Sequence, residues 1–201
     1  MRTLIYLFRN RLQHRPLTFP WIKQWGKRVI TLPALLRYLC KTIALRARGA
    51  HIHPSAVLSS VEVHGNATNL SIGSHSSVGK ACLQCHAPLT IGACVVINDG
   101  ARILTGSHDI ESPDYDHVFK PIVIEDYAWI ASGAILLQGV TIGRRAIVAA
   151  GAVVARDVPQ DMVVAGNPAR IVKNRGMREL RYKPSRFFAP YEAWLGKMPS
   201  I

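Results

Sequence analysis

Acidic residues are scarce in this chain, and the first fifty positions have none. Those fifty carry eleven Lys or Arg, so most of the net charge of +13 is concentrated in one arm. Long apolar runs are missing as well. Leu4–Phe8 is too short, and Val29–Leu45 is broken by Pro33, Arg37 and Lys41, whereas a bilayer-crossing helix needs about 18 or more apolar residues. The basic start leads to no apolar stretch with a small-residue cleavage site, so it does not read as a secretory leader. The expectation is a cytoplasmic protein. Its arm, residues 1–48, is left open to peripheral contact with the inner face of the membrane, at about 1 kcal/mol for each cation near anionic headgroups. Charge is the only hint of nucleic-acid binding, and no reading motif accompanies it, so none is expected.

Cysteine is also sparse, with four in the chain. Cys82-Leu83-Gln84-Cys85-His86 formally spells a haem-attachment motif. Counting sixes from Ile72 and Val78 instead places Cys82 at a small fifth position. A one-residue slip then makes Cys85 the next first position, so both thiols are expected inside as small hydrophobes. No second C-x-x-C pair completes a zinc site, and no metal is expected.

What the chain does have is a period of six. From Ile124 to Pro159 it reads IEDYAW, IASGAI, LLQGVT, IGRRAI, VAAGAV, VARDVP, with an aliphatic residue at every first position. Neither a helix, at about 3.6, nor a simple strand, at 2, has that period. A parallel β-helix does, because each hexapeptide makes one side and one turn, and stacked coils bury a continuous core. At 49% hydrophobic and 18% charged residues the composition is globular.

The expected organisation has three parts. Residues 1–50 form a basic, largely helical arm or cap, with a helix from Pro33 to Arg48 and Pro33 in its first turn. Residues 51–172 form the coil, looser through 58–90. Between Ile103 and Ile124 lie 21 residues where three sides need 18, so Asp109–Lys120 loops out. Insertions in solenoids often carry the binding face. The repeat stops after Pro159, an extended segment with a Gly-Asn-Pro turn follows, and 173–201 is a basic, aromatic tail with a short helix around Arg175–Leu180.

The span from about Ile72 to Val172 resembles the left-handed β-helix hexapeptide acyltransferases. These include the galactoside, maltose and nodulation-factor O-acetyltransferases, and among them it is most similar to the acetyltransferases of colanic-acid-type exopolysaccharide biosynthesis. The residues that carry the likeness are Thr105-Gly106-Ser107-His108-Asp109, Lys120-Pro121-Ile122, Ala128-Trp129-Ile130-Ala131-Ser132, the run Ala149–Pro159 and Ala165-Gly166-Asn167-Pro168-Ala169-Arg170. The resemblance implies an all-β, left-handed parallel β-helix with a helical N-terminal arm and a short C-terminal extension. It implies acetyl-CoA as co-substrate and a homotrimer whose active sites lie between subunits.

By the same resemblance His108 is the general base. The chemistry suits it, since an imidazole, with an ordinary pKa of about 6.5, can take a hydroxyl proton at neutral pH. A neighbouring carboxylate or carbonyl would fix its tautomer, and Asp109 and Asp99 are candidates. Ser132 matches the position whose backbone N–H stabilises the oxyanion. Trp129 stands beside the site, and Ala131, Ala150 and Ala155 line the pantetheine groove. Arg156, Arg170 and Lys173 match the positions at the nucleotide end. On the acceptor side the likeness points to His86, Asp99 and Asp109. His86 replaces an Asp of galactoside-type enzymes, which argues against a simple galactoside or maltose. The implied reaction is acetyl transfer to a sugar hydroxyl, of a surface polysaccharide or a lipid-linked glycan precursor.

Other readings stay open on the same fold: serine or amino-sugar acetylation, xenobiotic acetylation, a carbonic-anhydrase-like metalloenzyme and a non-enzymatic scaffold. The metalloenzyme needs two histidines five apart, and His86, His108 and His117 are separated by 22 and 9.

Overall fold

In the computed structural model, which describes residues 2–176 and 179–197, two helices precede the coil: α1 (Arg2–Arg9) and α2 (Phe19–Ala47). The helix expected at Pro33 starts fourteen residues earlier. Pro20 takes the first-turn role, and Pro33 lies inside the helix on its exposed side. Val29, whose carbonyl Pro33 cannot bond, is itself exposed, which keeps the break tolerable.

The coils follow in order. The first holds β1 (His51–Ile52), β2 (Val57–Leu58) and β3 (Glu62–Gly65), the second β4 (Leu70–Ile72), β5 (Ser77–Val78) and β6 (Cys82–Cys85). The third holds β7 (Leu89–Ile91), β8 (Val96–Ile97) and β9 (Arg102–Ile103), after which a hairpin, β10 (Gly106–His108) and β11 (His117–Phe119), leaves the solenoid. Next come β12 (Ile122–Ile124), β13 (Trp129–Ile130) and β14 (Ile135–Leu136), then β15 (Thr141–Ile142), β16 (Ile147–Val148) and β17 (Val153–Val154). Finally β18 (Met162–Ala165) and β19 (Arg170–Asn174) close the C-terminal end.

Three parallel sheets result. The first side is β1-β4-β7-β12-β15, the second runs from β2 through β5, β8, β13 and β16 to β18, and the third is β3-β6-β9-β14-β17. Register stacks like on like. Ile72, Ile91, Ile124 and Ile142 form one column, Val78, Ile97, Ile130, Val148 and Val164 another, and Leu83, Ile103, Leu136 and Val154 the third. All are buried, so each coil covers the apolar edge of the one before it.

Two expectations change here. Leu83, not Cys85, pairs with Ile103, so the chain shortens one side to five residues and lengthens the next corner. Cys82 therefore lies one position off the core and is half-buried, while Cys85 does point inward. The coil also continues past Pro159: Val158 bridges Ile142, and β18 extends the second sheet before β19 turns back antiparallel.

The arm and the tail form one helical layer at the N-terminal end. The tail has no helix at Arg175, Gly176, Glu179 or Leu180; Met177 and Arg178, like Met198–Ile201, lie outside the described residues. Its helix is α3 (Ala189–Leu195), which packs with α1 and α2 over Leu7, Leu35, Leu39, Val57 and Tyr191. Tyr191 is buried and donates to the Ala56 carbonyl at 3.0 Å. Arg28, also buried, donates to the carbonyls of Ala193 and Leu12 from between the rings of Trp25 and Trp194. Among the described residues, no helix is long and apolar enough to cross a membrane.

Candidate active site

The corner between the third and first sides is where the coil fails to close in six residues. Thr105, with no exposed surface, anchors it. Its Oγ1 donates to the Gln84 carbonyl at 2.9 Å and accepts from the backbone N–H groups of His86 at 3.0 Å and Ala87 at 3.2 Å. The Thr105 carbonyl accepts from Lys120 N–H at 3.0 Å, pinning the far end of the hairpin to its start. One residue thus holds both the His86 loop and the excursion.

Pairing of β10 with β11 sets His108 directly opposite His117. Their rings lie 4.4 Å apart. Tyr115, in the left-handed region with φ of 57°, stacks its ring on His108 at 3.9 Å. Its carbonyl also lies 2.8 Å from His108 Nδ1. A carbonyl can only accept, so the proton of the neutral ring belongs on Nδ1, and the Nε2 lone pair is free. That is the tautomer a proton acceptor needs.

The group fixing the ring is therefore the Tyr115 carbonyl rather than a carboxylate. Asp109 Oδ1 accepts from Glu111 N–H at 3.0 Å and shapes the hairpin turn. Asp99 Oδ1 accepts from Lys80 N–H at 2.7 Å at another corner. His86 does come to the site: it stacks on Phe119 at 5.4 Å, and Phe119 neighbours His117 at 5.5 Å. A continuous row of rings runs Tyr115, His108, His117, Phe119, His86. Gly106 makes this possible, since a Cβ there would sit 2.9 Å from the Phe119 ring and 3.4 Å from His86. Among the described residues, no three His, Cys, Asp or Glu side chains are grouped to hold a metal ion.

Tyr115, His117, Phe119 and Thr105 were missed as site residues by sequence reasoning. The alternation His117-Val118-Phe119 was a usable strand signal. Pairing across the hairpin, which gives these residues their neighbours, was not visible.

Ala155 and Arg156 follow β17 at this same corner, both exposed, and Arg156 forms no ion pair among the described residues. The remaining candidates sit elsewhere. Trp129 is 40% exposed on β13, its indole N–H bonded to Asn98 Oδ1. Ala131, Ser132 and Ala150 occupy the corner between the second and third sides. There Gly133 and Gly151 adopt φ of 70° and 68° and donate to the carbonyls of Asp99 and Ser132. The Ser132 N–H has no backbone partner among the described residues. Arg170 and Lys173 lie on β19, all of whose residues are exposed. Within one chain His108 and Ser132 are thus separated by the whole width of the third sheet.

A protein-family model described as bacterial transferase hexapeptide (six repeats) matches residues 121–156. A protein named for colanic acid biosynthesis, the acetyltransferase WcaF of Escherichia coli (strain K12), is 32% identical over 139 residues, 69% of this chain and 76% of that protein. The crystal structure of a hexapeptide-repeat-containing acetyltransferase from Vibrio cholerae O1 biovar eltor, complexed with acetyl coenzyme A, superposes with a TM-score of 0.63. Identity is 29%, over 88% of this chain and 100% of that one. A maltose O-acetyltransferase from Clostridium difficile 630 shares the fold, with a TM-score of 0.62 at 23% identity over 77% of this chain and 89% of that one. These superpositions are consistent with the left-handed coil.

Proposed function

The chain belongs to the bacterial hexapeptide-repeat transferase family, and from that premise we propose that it transfers acetyl from acetyl-CoA to a sugar hydroxyl with His108 as general base. The observation that carries the role of His108 is its tautomer: Nδ1 is committed to the Tyr115 carbonyl, leaving Nε2 to accept. Nε2 takes the acceptor hydroxyl's proton as that oxygen attacks the thioester carbonyl carbon. The imidazolium then returns the proton to the departing thiolate, so the histidine ends as it began. Charge gathering on the thioester oxygen calls for a preorganised donor, and the free Ser132 N–H suits it.

Acetyl-CoA fits the residues present. Ala131 is buried, but Ser132, Gly133 and Ala150 at its corner and Ala155 at the other are exposed and leave room along the coil, and Arg156 and Lys173 supply exposed cations for its phosphates. Because His108 and Ser132 lie at different corners, a complete site needs Ser132 from a neighbouring copy beside the His108 corner. A trimer of parallel solenoids supplies that arrangement three times. The named role of the colanic acid relative supports an acceptor among envelope glycans or their lipid-linked precursors.

The test is thiol release from acetyl-CoA against a panel of sugars, amino sugars and glycan precursors, with light scattering in parallel. His108→Ala should lower kcat by roughly 10²–10⁴ while KM for acetyl-CoA holds. Loss of less than about tenfold, below the range for a general base, removes His108 from the role. A fully active monomer removes the shared site.

A further inference from the structure

We propose that the outer face of α2 docks on an anionic lipid bilayer, with the helix lying in the plane of the headgroups. This inference deepens the reading of a glycan acetyltransferase by naming its partner surface, but its geometry stands without that reading. One face of α2 is spent inward through Arg28, Leu35, Leu39, Thr42 and Leu45. A second face, about 100° round from Arg28, Leu35 and Thr42, is apolar too. Ile22, Val29, Leu36 and Ile43 recur every seven residues and are 56%, 65%, 51% and 46% exposed. Seven residues bring a helix back to nearly the same face, so these four form one line down a 29-residue rod. Lys23 and Arg37 follow Ile22 and Leu36 at about 100° round the helix, and Lys41 lies about 140° round from Leu36, so cations flank the line on one side, with Arg48 at the helix's C-terminal cap.

An exposed apolar line is costly in water unless something covers it. The charge beside it selects the cover. The first fifty residues hold eleven cations and no acid, so a second copy using this same face would set cation against cation. A nucleic acid would satisfy the cations but leave the aliphatic line in water. An anionic bilayer satisfies both, the acyl boundary taking Ile22, Val29, Leu36 and Ile43 and the headgroups taking the cation line.

The experiment is flotation of the full chain with vesicles of phosphatidylcholine alone, or mixed with phosphatidylglycerol, at low and high salt. Expected is binding to the mixed vesicles only, weakened by salt. Lys23→Glu with Arg37→Glu and Lys41→Glu should cut partitioning by about a hundredfold. Val29→Asp with Leu36→Asp, both at exposed positions, should abolish it, while circular dichroism and thiol release toward a soluble acceptor stay unchanged. Equal binding to neutral vesicles, or undiminished binding by either variant, overturns the proposal. So does a fall in oligomer mass on Val29→Asp/Leu36→Asp with vesicle binding intact, which would assign the face to a second copy. Tighter binding to duplex DNA than to mixed vesicles also overturns it. Loss of thiol release in wild type would sink the acetyltransferase reading alone.

Discussion

Thr105→Val offers a direct measure of what holds the candidate site together. Valine matches threonine in shape but lacks the hydroxyl, so it strands one carbonyl, on Gln84, and two N–H groups, on His86 and Ala87. A buried orphan costs about 1–3 kcal/mol. His86 is exposed and water can reach its side of the loop, so the three together should cost about 3 kcal/mol rather than the full sum. For a domain of this size 1 kcal/mol corresponds to about 2–4 °C. The expected fall in Tm is then about 6–12 °C. Thr105→Ser keeps the hydroxyl and loses a methyl group, at about 1 kcal/mol. Thermal melts followed by circular dichroism, with urea midpoints as a second measure, give the comparison. If valine and serine are equally tolerated, Thr105 is not the clamp and the His86 loop is held by something else.

Two further outcomes are expected. Burial, with Lys183, His53 and Arg186 nearby, lowers the pKa of His75 from 6.5 to about 4. The unfolded chain therefore binds a proton that the folded one refuses, and stability is full above about 6.5 and declines as pH falls toward about 4. His75→Gln should flatten that part of a plot of urea midpoint against pH, and an unchanged slope would refute the assignment. The thiols should divide by environment: Cys40 is exposed, while burial raises the pKa values of Cys94 and Cys85, the latter to about 11. Titration with a thiol reagent at neutral pH should find Cys40 fast and the two buried thiols blocked until denaturant is added. Rapid labelling of Cys85 in the folded chain would show that it does not point inward.

The limits of the sequence are physical ones. Pro33 reads as a helix start because proline suits a first turn, yet Pro20 fills that place and Pro33 survives on the solvent side. Cys82 was assigned to the core because sixes were counted forward from Val78. One missing residue, invisible without the partner Ile103, shifted it outward. Asp109 and Asp99 were reasonable partners for His108 by charge, but each carboxylate is held by a backbone N–H, and a carbonyl from Tyr115 takes the role.

The sequence by itself determined the solenoid, because a period of six repeats the same inward position in every coil and needs no long-range knowledge to be seen. It also signalled an excursion between Ile103 and Ile124, expected over Asp109–Lys120; the hairpin starts earlier, at Gly106, and the slip expected at Cys85 falls before Leu83. Only the tertiary structure decided what those interruptions contain. Closing the excursion into a hairpin brings Tyr115, His117 and Phe119 beside His108 and His86, and Thr105 ties the two loops together. It likewise set His108 and Ser132 on different corners, since corners are assigned by stacking across coils and not by distance along the chain.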